Sequence, residues 1–139
     1  MIDSWLIYTA ISCLLYGLWG FFSKVTTNYI EPESALVYQA IGAMLVGLFV
    51  LCRSGFNLQA NNLGIFYAIL VGFVATFASL FFLLALSKGK VAMVVTLTGL
   101  YPLISIILAF FILKEPISIR QGVSILLALA AIALFSWSE

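Results

Sequence analysis

Histidine is missing from this sequence, and charge of either sign is scarce, with six Lys and Arg set against five Asp and Glu in 139 residues. The first absence removes the commonest metal ligand and the one side chain that ordinarily titrates near neutral pH. The second excludes whole classes of partner. A net charge of +1 with no basic cluster gives no electrostatic footprint for nucleic acid and no polybasic lipid-binding tail. Charged residues make up 8% of the chain, where a water-soluble domain carries about 25%, so there is too little polar material to clothe a soluble surface. Cysteine is limited to Cys13 and Cys52. Their expected depths in antiparallel neighbours differ by roughly 10 Å, which argues against a disulfide and for two buried thiols acting as small apolar residues. No signal-peptide pattern opens the chain: Asp3, rather than a basic cluster, precedes the first apolar run, which reads as a retained span.

What is present is apolar sequence in long runs. Hydrophobic residues make up 65% of the chain and the mean hydropathy is +1.24. A hydrocarbon core of ~30 Å needs about 20 apolar residues as helix, and five runs meet that length, at about residues 5–24, 32–52, 63–86, 91–113 and 118–137. The breaks carry their own signals. Thr26, Thr27, Asn28 and Glu31 close the first run, and Pro32 opens the second with Glu31 and Glu33 suited to a helix N-terminus. Arg53 and Gly55 begin a polar loop. Ser87, Lys88, Gly89 and Lys90 make a tight connection, and Lys114, Glu115 and Pro116 end the fourth run. Ser118 with Gln121 three residues later forms a capping-box pattern, and Trp137 suits the interface at the end of the fifth run. The expected fold is an all-α integral membrane protein of five transmembrane helices with short loops. Closure of every backbone hydrogen bond within a helix is what lets such a chain sit in lipid.

Charge gives little orientation. With the N-terminus cytoplasmic, Arg53, Lys114 and Arg120 fall on that side and Lys24, Lys88 and Lys90 on the other. Orientation normally follows an excess of Lys and Arg, and here the tally is even, or unequal by one with Lys24 inside the membrane, so dual insertion is compatible with the sequence.

No Asp or Glu falls in the middle of a span, so the usual proton site of a coupled pump is not evident. Glu31, Glu33 and Glu115 all sit at helix ends, where capping explains them. Lys24 follows Phe22 and Ser23 without a break and reads either as a contact for an anionic substrate or as a snorkelling interfacial lysine. Tyr8, Ser12, Tyr16, Trp19 and Ser23 share one face of the first span, which is either a helix contact or a cavity wall. Gly64, Ala68, Gly72, Ala75 or Thr76, and Ser79 make a small-residue seam on the third span, read chiefly as close helix packing. On the fourth, Thr98, Pro102, Ser105 and Ala109 share a face, and Pro102 frees a carbonyl near residue 98, as a simple kink or as the interruption seen at transporter sites. Ala128, Ala130, Ala131 and Ala133 give the fifth span a close-packing or dimer-forming face. With no nucleophile paired to a histidine, no phosphate-cradling loop and no metal cluster, neither enzymatic activity nor a cofactor is expected.

These residues in this order resemble the EamA-type repeat of the drug/metabolite transporter superfamily. Tyr16, Gly17, Trp19, Gly20 and Lys24 are similar to that repeat's Trp-Gly followed by Lys. From Ala85 to Phe135 the chain is similar to its closing pattern, with Pro102 in mid-span, Glu115 before the last helix, and Gln121 and Gly122 opening it. The resemblance covers residues 1–139 as one transmembrane domain. It implies half of an inverted-repeat architecture, since most members carry two such repeats. A single repeat implies pairing as a homodimer, antiparallel or otherwise, or with a related five-helix partner. The implied activity is translocation of small metabolites, amino acids or drugs by alternating access, in a multi-pass protein of a bacterial-type plasma (inner) membrane. Tyr16, Trp19, Lys24, Thr98, Tyr101, Pro102 and Ser105 are the candidate substrate path. A subunit of a heteromeric lipid-carrier flippase and a non-transporting accessory protein are the competing readings.

Overall fold

The computed structural model describes residues 4–137, without the side chains of Ser136 and Trp137. Asp3 and the ring of Trp137, to which the sequence assigns a start and an interfacial anchor, therefore lie outside the described residues. Within them the chain is helical throughout: α1 (Ser4–Thr27), α2 (Pro32–Arg53), α3 (Asn62–Lys88), α4 (Val91–Thr98), α5 (Tyr101–Leu108), a π-helical turn (Ala109–Leu113) and α6 (Ile119–Trp137). Four stretches, with Val91–Leu113 taken as one, are long and apolar enough to cross a membrane. The fifth expected span is shorter as an apolar helix, Ile119–Phe135. The first and third spans run past their expected ends, to Thr27 and Lys88. At the first, the hydroxyls of Thr26 and Thr27 bond back to the carbonyls of Phe22 and Lys24 at 2.9 Å each and carry the last turn.

The helix ends follow their local chemistry. Pro32 opens α2 at a position where its missing N–H costs nothing. Arg53 closes it, and Gly55 at φ +63° completes a Schellman turn: its N–H reaches Cys52 O at 3.1 Å and the Phe56 N–H reaches Leu51 O at 3.1 Å. Asn61 caps α3 through Oδ1, which accepts from the Gly64 N–H at 3.1 Å. The capping box of α6 is present in both directions, with the Gln121 N–H donating to Ser118 Oγ at 3.3 Å and the Ser118 N–H donating to Gln121 Oε1 at 2.8 Å.

The helices group into two compact units, Met1–Lys88 and Gly89–Glu139. In the first, α3 packs against both α1 and α2. The buried residues lie in the C-terminal half of α1, the N-terminal half of α2 and the C-terminal half of α3: Gly20 and Ser23, Ala35, and Phe82, Leu83 and Leu86. The remaining halves expose apolar side chains along their length. That pattern suits a lipid environment, in which helices gain nothing from hiding apolar surface from one another and associate where packing and hydrogen bonds favour it. In the second unit α4 packs on α6. The half-buried face of α6 is Gly122, Ile125, Leu129 and Ile132, spaced as one helical stripe. Ala128, Ala130, Ala131 and Ala133, read as a close-packing or dimer-forming face, are exposed on the single chain and make no close contact within it.

Two further sequence expectations are corrected, and the fourth span resolves between its two alternatives in favour of a kink. Cys13 and Cys52 are free, as expected, yet both thiol residues are exposed on the chain rather than buried in it. The seam of α3 is not packed within the chain: Ala68, Gly72, Ala75 and Thr76 are exposed, and a Cβ added at Gly72 meets nothing within 4 Å. The Thr76 hydroxyl turns back to Gly72 O at 2.8 Å instead of crossing to a neighbour. The fourth span is interrupted at Gly99 and Leu100, but their dihedrals stay in the right-handed helical region, so the break is a short tightening and not an unwound loop. Pro102 sits in the first turn of α5, and the carbonyls around it bond three residues on, Leu97 O to the Leu100 N–H and Leu100 O to the Leu103 N–H.

Candidate functional site

The packed end of the first unit holds a pocket of about 190 Å³ lined by Trp19, Phe22, Ser23, Thr26, Ala35, Tyr38, Gln39 and Leu83. Helical spacing places the residues. Trp19, Phe22, Ser23 and Thr26 recur on one side of α1, and Ala35, Tyr38 and Gln39 on one side of α2. The Trp19 ring is held by a stacked contact with Phe82, centroids 4.8 Å apart and planes 14° from parallel. Ser23 is 5% exposed, and Gln39 Oε1 is buried with no hydrogen-bond partner.

Lys24 neighbours this pocket without lining it. Its Nζ donates to Leu86 O at 2.6 Å. Leu86 is among the last four residues of α3, whose carbonyls lack helical partners, and a cation there also complements the negative end of the helix dipole. Lys24 thereby ties the end of α1 to the end of α3.

The path residues expected from the sequence divide between the units. In the first, Trp19 reaches the pocket, Lys24 caps α3, and Tyr16, one turn before Trp19, is 66% exposed. In the second, Thr98, Tyr101, Pro102 and Ser105 cluster at the α4–α5 interruption, and all four are exposed. A larger hollow of about 410 Å³ in that unit lies elsewhere, among Phe110 of the π turn, Glu115 and Pro116 of the connection, and Arg120, Gln121 and Ser124 of α6. There the π turn ends at Lys114 in the left-handed region, φ +55°, and the Glu115 N–H closes back on Ala109 O at 3.3 Å.

Gln39, which the sequence reading does not single out, is the polar side chain of α2 that the structure places in this pocket. Tyr38 beside it lines the same pocket.

The EamA-like transporter family model matches residues 3–137. The chain belongs to that family. It is accordingly a multi-pass integral membrane protein of the drug/metabolite transporter type, in a family of transporters and not enzymes. It is also 27% identical over 137 residues to Uncharacterized protein MJ1333.1 of Methanocaldococcus jannaschii, a match covering 99% of each chain. No solved structure matches it.

Proposed function

We propose that the chain is a permease or exporter of small metabolites, amino acids or drugs, acting by alternating access as a dimer of five-helix units in a bacterial-type plasma membrane. The observation that carries this reading is the pocket of the first unit, where Ser23 and Gln39 set polar groups into a wall that is otherwise mainly apolar. Polar groups inside a membrane are costly, and a pocket that gathers several of them is a place for cargo. Trp19 and Tyr16 supply aromatic wall in the first unit. In the second, the exposed side chains of Thr98, Tyr101, Pro102 and Ser105 beside the tightened turn are the candidate contact surface. Lys24 holds the wall in place through α3. Pairing is our reading of a chain that a family model and a relative of matching length each cover almost end to end. The even division of Lys and Arg supports an antiparallel pair.

The test is flux through the purified chain in liposomes, with a panel of amino acids, neutral amides and cationic drugs. At least one compound is expected to move faster than through protein-free vesicles, and Trp19→Ala is expected to slow it about tenfold or more, the scale set by loss of a stacking wall in a binding site. Flux that appears only after a second five-helix chain is added would replace the homodimer with a heteromer. C-terminal reporters active on opposite sides of the membrane test the antiparallel arrangement, and signal from one side alone would remove it.

A further inference from the structure

We infer that the pocket between α1, α2 and α3 recognises a small uncharged molecule carrying an N–H or O–H donor on a flat apolar body. The inference rests on the transport reading above and names the cargo class. Its centre is Gln39. Buried polar atoms in proteins are almost always hydrogen-bonded, and among the described residues Gln39 Oε1 is the buried side-chain acceptor left without a partner. It lies seven residues into α2 from Pro32, roughly 10 Å along the helix at 1.5 Å per residue, and the oxygen is buried although the residue as a whole is half-buried. Such an oxygen is satisfied by a ligand that brings a donor. The Thr26 hydroxyl is already bonded to Phe22 O at 2.9 Å, so it does not fill that role.

The surroundings set the rest of the molecule. Trp19, Phe22, Tyr38 and Leu83 supply aromatic and aliphatic wall, and the Phe82 stack fixes the Trp19 ring so that it presents a rigid surface. No Asp, Glu, Lys or Arg lines the pocket, and the nearby Lys24 ammonium is directed to Leu86 O. A carboxylate or ammonium entering here would lose its hydration without gaining a counter-charge, which disfavours ionic cargo strongly. The volume of about 190 Å³ lies below the ~300–1,000 Å³ of sites for drug-sized ligands, so the fit is to a small metabolite.

Equilibrium dialysis of radiolabelled nicotinamide against the full chain in lipid nanodiscs tests this. Nicotinamide is neutral, flat and carries N–H donors. Saturable binding is expected. N,N-dimethylnicotinamide, which keeps the ring and loses the donors, and nicotinate, which carries a charge, are each expected to compete at least tenfold more weakly. Gln39→Leu should weaken nicotinamide at least tenfold. The ligand comparison on the unaltered chain decides the matter even where Gln39→Leu fails to fold. Absence of saturable nicotinamide binding, equal competition by either analogue, or unchanged binding in folded Gln39→Leu each overturns the inference. Flux of other compounds that is indifferent to Gln39→Leu would retain the transporter and remove this site. Gln39-dependent binding without flux of any compound would retain the site and remove the transport reading.

Discussion

The two ends of the α1–α3 trio are built from much the same residues and behave differently. At one end Gly20, Ser23, Ala35, Phe82, Leu83 and Leu86 are buried, and Ser23, Ala35 and Leu83 line a pocket. At the other, Gly47 of α2 and Gly72 of α3 have nothing within 4 Å of where a Cβ would sit. Small residues let helices approach closely, but they do not by themselves draw them together in lipid. What the packed end has in addition is a set of directional contacts. The Lys24 ammonium reaches the last turn of α3, and the Trp19 ring stacks on Phe82. Hydroxyls that bond back to their own helix occur at both ends, Thr9 to Trp5 O at the open one and Thr26 to Phe22 O at the packed one, so the cross-links between helices are what differ. The difference teaches that polar and aromatic cross-links, more than apolar area, decide where these helices meet.

The largest expected effect tests burial itself. Leu86 is 0% exposed and Leu70 is 44% exposed, on the same helix. Leu86→Ala should lower stability by about 2–5 kcal/mol, the range for a fully buried leucine. Leu70→Ala should cost under about 1 kcal/mol, because its apolar surface exchanges with lipid. Unfolding by graded detergent denaturation measures both, and equal losses would erase the distinction between the ends. Next comes the cross-link. Lys24→Met removes a charge-assisted hydrogen bond worth about 1.5–3 kcal/mol and should lower stability by that order, while Lys24→Arg should keep most of it. A Lys24→Met chain that is fully stable yet inactive would instead return Lys24 to direct cargo contact. Third, Trp19→Leu gives up the Phe82 stack, worth about 0.5–1.5 kcal/mol beyond area burial. Phe73→Leu at the open end, which breaks only a contact with Phe77 one turn along the same helix, should cost less than that.

The parts of this protein that sequence made legible are those governed by local chemistry. Pro32 at a helix start, Ser118 with Gln121 as a capping box, and a break at Pro102 all follow from neighbouring residues, and each stands where expected. Family membership was legible too, through the order of Trp19, Lys24, Pro102, Glu115 and Gly122. Span ends were missed where threonine side chains carry a helix onward, as at Thr26 and Thr27. The larger misses concern which faces pack. The α3 seam and the α6 alanines looked like contact surfaces because small residues permit contact, yet the buried faces are elsewhere, on Phe82, Leu83 and Leu86, and on Gly122, Ile125, Leu129 and Ile132. Periodicity in an all-apolar helix does not separate a protein-facing stripe from a lipid-facing one, since both are hydrophobic. Lys24 shows the same limit at one residue: its place on α1 was evident, while its partner, Leu86 O, lies 62 positions away.

The smallest expected effect bears on the open end and has the opposite sign. Glycine inside a helix is about 0.8–1 kcal/mol less favourable than alanine. At Gly72 the added methyl meets nothing within 4 Å, so Gly72→Ala gains helix propensity without a clash. The variant should be more stable by about 0.5–1 kcal/mol in the same denaturation assay. A gain seen in dilute detergent that turns into a loss in crowded bilayers would mean that another chain approaches α3 at Gly72 there, closer than a methyl allows. The open end would then be the mating half of the unit, and its lack of cross-links within one chain would be what leaves the seam available to a partner.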